Sequence, residues 1–194
     1  KCGWDYKQAW LAHGIHFNNS ELETLSEQGV GVAHCPNANM RLGSGVCPVP
    51  KMLEQGIKVC IGVDGSASND SGHILGELRQ ALYLARVDGG AEAMSTMDAL
   101  ELGTWRAAEL IGREDIGRIA IGFCGDCALF PVDDLYSSGC ENAVDALLLC
   151  HPRQVTDSIV GGRLQVRDGN LLPIDLGEHM YRHQRRSDEL HQFS

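Results

Sequence analysis

Three times along its first half the chain repeats one pattern: a short apolar run, a polar side chain at its end, a loop, then helix-forming sequence. The runs are WLA before His13, VGVA before His34, and IKVCIGV before Asp64. All three read as apolar strands, and the third, rich in β-branched residues, has the pattern of a buried one. Alternated with helices, they predict the βα units of a parallel sheet. Parallel strands point the same way, so His13, His34 and Asp64 are expected at one sheet edge. In α/β barrels and open α/β sheets the carboxyl edge is where chemistry is placed.

Asp64 has a simpler reading: a carboxylate before Gly65 can close a turn or cap the helix that follows. A lone strand-end histidine is likewise usually structural. The convergence of two histidines and an aspartate at three equivalent strand ends moves the weight toward function, most for His13 and Asp64 and less for His34.

Between these strands, Ser20 and Glu23 have the spacing of a capping box, with Gly29 as the helix end. CPNANMRLGSG reads as a loop, and residues 49–55 as a short helix opened by prolines and closed by Gly56. After Asp70 the apolar positions Ile74, Leu75, Leu78, Ala81, Leu82 and Ala85 recur at helical spacing. Ser95 with Asp98 opens a further helix that runs to Gly112. From residue 113 the texture changes. Residues 116–121, 127–131, 157–160 and 163–166 read as short strands, the last two joined by Gly161–Gly162 as a tight hairpin. Residues 144–150 are apolar but fit helix and strand equally. Residues 175–192 predict a polar surface helix. The expected division is 1–112, 113–172 and 173–194.

The net charge of −10 argues against nucleic acid and anionic membranes as partners, because both require basic patches. No apolar run approaches the roughly 20 residues of a membrane span, and the start, KCGWDYKQAW, shows no leader pattern. A cytoplasmic location is the expectation. The eight cysteines lie mostly in apolar contexts such as VCIGV and LLLC, the usage of free buried thiols. Cys124 and Cys127 form a C-x-x-C without the second pair a zinc ribbon needs. The i, i+4 histidines His179 and His183, with His191, read as solvated side chains of the terminal helix.

LAHGIHFNNSELETL, GVAHCPNANMRLGSGVCPV and GVDGSASND, in this order, resemble the carboxyl-terminal half of an amidohydrolase-superfamily deaminase. The likeness is to the cytosine/guanine-deaminase branch, which includes the 8-oxoguanine deaminases. GREDIGRIAIG and the VGGRLQVRDG hairpin agree with it. The resemblance implies an α/β fold: strands six to eight of a distorted (β/α)8 TIM barrel, a small β-sandwich module and a C-terminal helix. It implies that His13 contacts the hydrolytic water and substrate. Asp64 becomes both a zinc ligand and the group that takes the water's proton, while Ser68 and His34 lie at the substrate. The implied reaction is zinc-dependent deamination of a small guanine-type heterocycle, and the family tends to self-associate as homo-oligomers.

The family's His-x-His pair, its fifth-strand histidine and the proton-donating glutamate three residues later have no match here. They are expected in sequence preceding strand six. Three readings compete: another hydrolase of the superfamily, such as an isoxanthopterin deaminase or a chlorotriazine hydrolase; a non-catalytic binding subunit that lacks the metal histidines; and, on Cys124–Cys127 alone, a cysteine-dependent metal or redox protein.

Overall fold

The computed structural model describes residues 9–150 and 153–192; residues 1–8, on which the expectation about a leader rests, lie outside them. The chain divides into two compact units. The first is Lys1–Phe123 with Val132–Pro152, and the second is Cys124–Pro131 with Arg153–Ser194. Residues 113–123 and 132–150, expected with the β module, fall in the first unit. The C-terminal helix belongs with the β module rather than standing apart.

The first unit is built on three parallel strands in the order β1-β2-β3: β1 (Trp10–Ala12), β2 (Gly31–His34) and β3 (Val59–Ile61). Ala12 pairs with Ala33, and His34 with Ile61, so the strands end level. β2 and β3 are buried along their whole length. β1 is exposed, and both outer edges of the sheet are open among the described residues. Helices α1 (Asn19–Gln28), α2 (Pro36–Leu42) and α3 (Val49–Glu54) alternate with the strands. They are followed by α4 (Ile74–Gly89), α5 (Thr96–Leu102) and α6 (Trp105–Leu110). Leu22, Val32, Met52, Val59, Leu78, Leu82, Leu102 and Leu148 form the core. Each such side chain fully buried is worth roughly 1.5–3 kcal/mol.

Several local expectations are corrected. Helix α1 is capped by Asn18, not Ser20: its side chain accepts from the Glu21 N–H while Glu21 reaches back to the Asn18 N–H. CPNANMRLGSG is not a loop throughout, because α2 occupies Pro36–Leu42, with Pro36 in its first turn and Gly43 as an αL cap (φ 65°). The helix expected from Ser95 to Gly112 is two helices. Gly103 lies between them, so close to Leu78 that a Cβ there would stand 3.1 Å from its methyl carbons. Residues 144–150, left open by their pattern, form the short helix α7 (Ala143–Asp145) and a π-helical turn, Ala146–Cys150.

The second unit is one antiparallel sheet in the order β4-β5-β6-β7, with a C-terminal helix. Its strands are β4 (Cys127–Leu129), β5 (Asp157–Val160), β6 (Arg163–Arg167) and β7 (Asn170–Leu171). Gly161 and Gly162 both have positive φ, 56° and 73°, as a two-residue hairpin turn of this hand demands. Residues 116–121 form no strand, and the described residues of the second unit hold this one sheet, a portion of the expected sandwich module. Helix α8 (Leu176–His191) is capped by Asp175 and buries no side chain. No described helix is long and apolar enough to cross a membrane.

Candidate active site

The carboxyl edge of the parallel sheet brings His13 and Asp64 together and gives each an unusual backbone. His13 follows β1 with φ 120°, and Asp64 follows β3 with φ 62°. Positive φ at non-glycine residues costs on the order of 1–3 kcal/mol each and persists only where the surroundings impose it. Gly14 is part of that imposition. A Cβ there would stand 2.9 Å from both Met52 and Val32, so only glycine lets the chain turn against the core directly after His13.

The imidazole Nε2 of His13 lies 3.8 Å from Asp64 Oδ2, and both side chains are about one-third exposed, at 36% and 31%. That separation is too long for a direct hydrogen bond, and a water can bridge it off the line between the two atoms. On its far side His13 Nδ1 meets Asn39 Oδ1 at 3.1 Å. The Asn39 oxygen accepts the Nδ1 proton and leaves Nε2 free to accept from a group placed between it and Asp64. Asn39, 2% exposed, was missed in the sequence because it lay in the stretch read as loop; α2 carries it.

Ser68 lies beside Asp64, and its Oγ donates to Asp64 Oδ2 at 2.8 Å. This hydroxyl first, then the Gly65 backbone, hold the Asp64 carboxyl below its ordinary value; burial opposes them, and the neighbouring His13 adds the least. Asp64 is thus kept ionised, as a metal ligand or proton acceptor must be. It caps no helix: α4 starts ten residues later behind His73, whose own ring accepts from the Gly76 N–H.

His34 ends β2 as expected, but at 1% exposure its ring is enclosed rather than open to a ligand. Its Nδ1 has no hydrogen-bond partner among the described residues. Burial first, then the nearby His13, pushes its pKa from 6.5 down to about 4, so the ring is neutral near pH 7. Cys35 beside it is pushed up to about 11 by burial and by the charges of Asp64 and Glu77. Cys47 and Cys60 rise to about 12 and about 11, chiefly by burial. These thiols stay protonated and are poor nucleophiles.

As a metal site the edge offers one carboxylate and one imidazole. No group of three or more His, Cys, Asp or Glu side chains able to hold a metal occurs among the described residues. A tetrahedral zinc site needs three protein ligands or four. The donor chemistry of Asp64 therefore fits a metal, but only as one part of a larger set.

A parallel βα arrangement with an ionised aspartate and a histidine at its carboxyl edge is the layout of an α/β fold that places its site at the strand ends. The sequence model of the amidohydrolase family matches residues 5–165, and the chain belongs to that family. It is 45% identical to the 8-oxoguanine deaminase of Pseudomonas aeruginosa over 188 residues, which make up 97% of this chain and 42% of that protein. Its fold is similar to a crystal structure described as an adenosine deaminase from Xanthomonas campestris with bound zinc, at TM-score 0.93 and 27% identity. That match covers 98% of this chain and 44% of the other. It is also similar to an atrazine chlorohydrolase from Arthrobacter aurescens TC1 complexed with zinc, at TM-score 0.89 and 29% identity over 94% of this chain and 41% of the other. The chain thus spans less than half the length of each of these proteins.

Proposed function

We propose that this chain supplies the carboxyl-terminal part of a metal-dependent aminohydrolase acting on a guanine-type heterocycle, 8-oxoguanine being the preferred substrate, with urate and ammonia as products. The observation that carries the reading is the pair at the sheet edge: Asp64, kept ionised by Ser68, facing His13 Nε2 across 3.8 Å. The 45% identity to an 8-oxoguanine deaminase supports the choice of substrate. The open edges of the three-stranded sheet suit strands six to eight of a barrel whose remaining strands lie in other sequence.

Asp64 is the residue of this chain that would hold a single divalent metal, assigned as zinc because both solved relatives are described with it. When bound, the metal supplies a water acidified to a pKa of about 7. Asp64 would accept a proton from the attacking water and return it to the departing amine, which leaves as ammonia. The water oxygen bonds to the ring carbon that bore the amino group. His13, oriented by Asn39, hydrogen-bonds the water and then the oxygen of the tetrahedral carbon as charge develops on it. Ser68 steadies Asp64, and the small, polar loop 65–70 leaves room for a flat ring at its edge. His34, enclosed as it is, contributes to substrate binding only by supporting the wall behind His13. The metal histidines and the ring-protonating glutamate belong to sequence outside this chain. The active assembly is a homo-oligomer, on family analogy alone.

The test is product release by the full-length protein from 8-oxoguanine, guanine, isoxanthopterin and a chlorotriazine. Ammonia released fastest from 8-oxoguanine, and absent with Asp64→Asn, supports the reading. Chloride release instead of ammonia selects a dechlorinating hydrolase. No turnover of any of them by a folded, zinc-free protein selects a binding subunit.

A further inference from the structure

Glu77 lies in the first turn of α4 with no exposed surface. Its Oε1 accepts from Asn37 Nδ2 at 2.7 Å and from Asn69 Nδ2 at 2.6 Å, and its Oε2 accepts from the Asn37 backbone N–H at 3.0 Å. A carboxyl group this deep is costly unless its oxygens are satisfied, and here three N–H groups from two other segments satisfy them.

The first segment is α2. Its N-cap residue, Cys35, provides no side-chain cap, so the early amides of the helix lack the usual local acceptor. Glu77 reaches across from α4 and takes the Asn37 amide. The same helix, two residues further on, carries Asn39, which holds His13. The second segment is the loop that begins at Asp64. The Asn69 side chain closes this loop on itself. Its Nδ2 also donates to the Val63 carbonyl at 2.8 Å, and its Oδ1 accepts from the Ser71 N–H and hydroxyl and from the Gly72 N–H at 3.2–3.4 Å. Val63 is the residue before Asp64. An ion pair between Arg41 and Asp70 also joins α2 to this loop, but it is exposed on both sides and adds little.

We propose that Glu77 is a positioning residue: one buried carboxyl group on α4 clamps α2 and the Asp64 loop together and thereby sets the spacing of His13 and Asp64. Each member of the pair is held through one asparagine on the clamp's side, His13 by way of α2 and Asp64 by way of Asn69. The kinetic consequence rests on the hydrolase reading; the structural consequence rests on these hydrogen bonds alone.

Glu77→Gln keeps the shape and removes the match. Whichever way the amide lies, its NH2 faces an N–H of Asn37 or Asn69. In the full-length protein kcat is expected to fall about 10- to 100-fold, the scale of an ångström-sized misplacement, with KM changed by less than about 3-fold. Amide hydrogen exchange should quicken at Asn37 and through residues 64–72 while α1 is unchanged. Leu82→Val, a core change on the same helix outside the network, provides a variant with a matched drop in Tm and unchanged kcat. If Glu77→Gln does not fold, Asn37→Ala removes one of the three bonds at a half-buried position and should lower kcat about 3- to 10-fold. Unchanged kcat in the Glu77 or Asn37 variant, or equal loss in Leu82→Val, overturns the proposal. If the unaltered protein turns over no heterocycle, the functional reading fails by itself. The exchange data then decide the clamp: protection lost in both segments supports it, and protection unchanged overturns it.

Discussion

The buried His34 ring makes stability depend on acid in a way that can be calculated. Its pKa is 6.5 in an open chain and about 4 in the fold, through burial and then the neighbouring His13. Because the folded value is the lower one, the unfolded chain takes the proton first as pH falls. Stability is therefore full above pH 6.5 and is lost progressively down to about pH 4. Each pH unit between the two values is worth about 1.4 kcal/mol. At pH 5 the loss relative to pH 8 is about 2 kcal/mol, and it approaches about 3 kcal/mol at pH 4. The perturbation is His34→Gln, which keeps a polar side chain of similar reach and cannot titrate. The assay is urea unfolding of the full-length protein and the variant between pH 8 and pH 4.5. Other groups titrate in both proteins, so the difference between the two curves isolates this ring. The unaltered protein should lose stability more steeply as the solution is acidified, the gap opening below about pH 6.5. Parallel curves would refute the reasoning, as would an NMR titration placing this ring's pKa near 6.5 in the folded protein.

Two further outcomes follow from the local geometry. Asn39→Ala frees the His13 ring and should lower kcat by about 10-fold or more with metal content unchanged, as read by steady-state kinetics alongside elemental analysis. Asn18→Ala removes the cap of α1 and should cost about 1 kcal/mol in urea unfolding with no effect on turnover, while Ser20→Ala, at the position the sequence spacing favoured, should cost less.

The placement of His13 and Asp64 was legible because it depends on one local signal, an apolar run ending at a polar residue, and on the rule that parallel strands share a direction. The contrast between buried β2 and exposed β1 was not legible, since both runs are equally apolar. Helix α2 was hidden for a physical reason. PNANMRL has a proline and two asparagines, and its amino end is satisfied by Glu77, forty residues away in sequence. No window around α2 contains that partner. The sequence showed His34 at a strand end but not that core packing would enclose its ring. Ser68 was expected near a substrate, and the sequence did not show that its hydroxyl also donates to Asp64. Gly103, between α5 and α6, lies against Leu78 of α4, a contact between helices that their separate apolar patterns do not reveal.

The central claim is that Asp64, facing His13, is one corner of a hydrolytic metal site completed by other sequence. The most direct measurement is the zinc content of the purified full-length protein and of Asp64→Asn, taken with ammonia release from 8-oxoguanine. The account predicts one zinc per chain in the unaltered protein. In the variant it predicts depleted or readily chelated zinc and turnover lowered by about 10²- to 10⁴-fold, with the fold intact. Undiminished zinc and undiminished ammonia release in Asp64→Asn would contradict it.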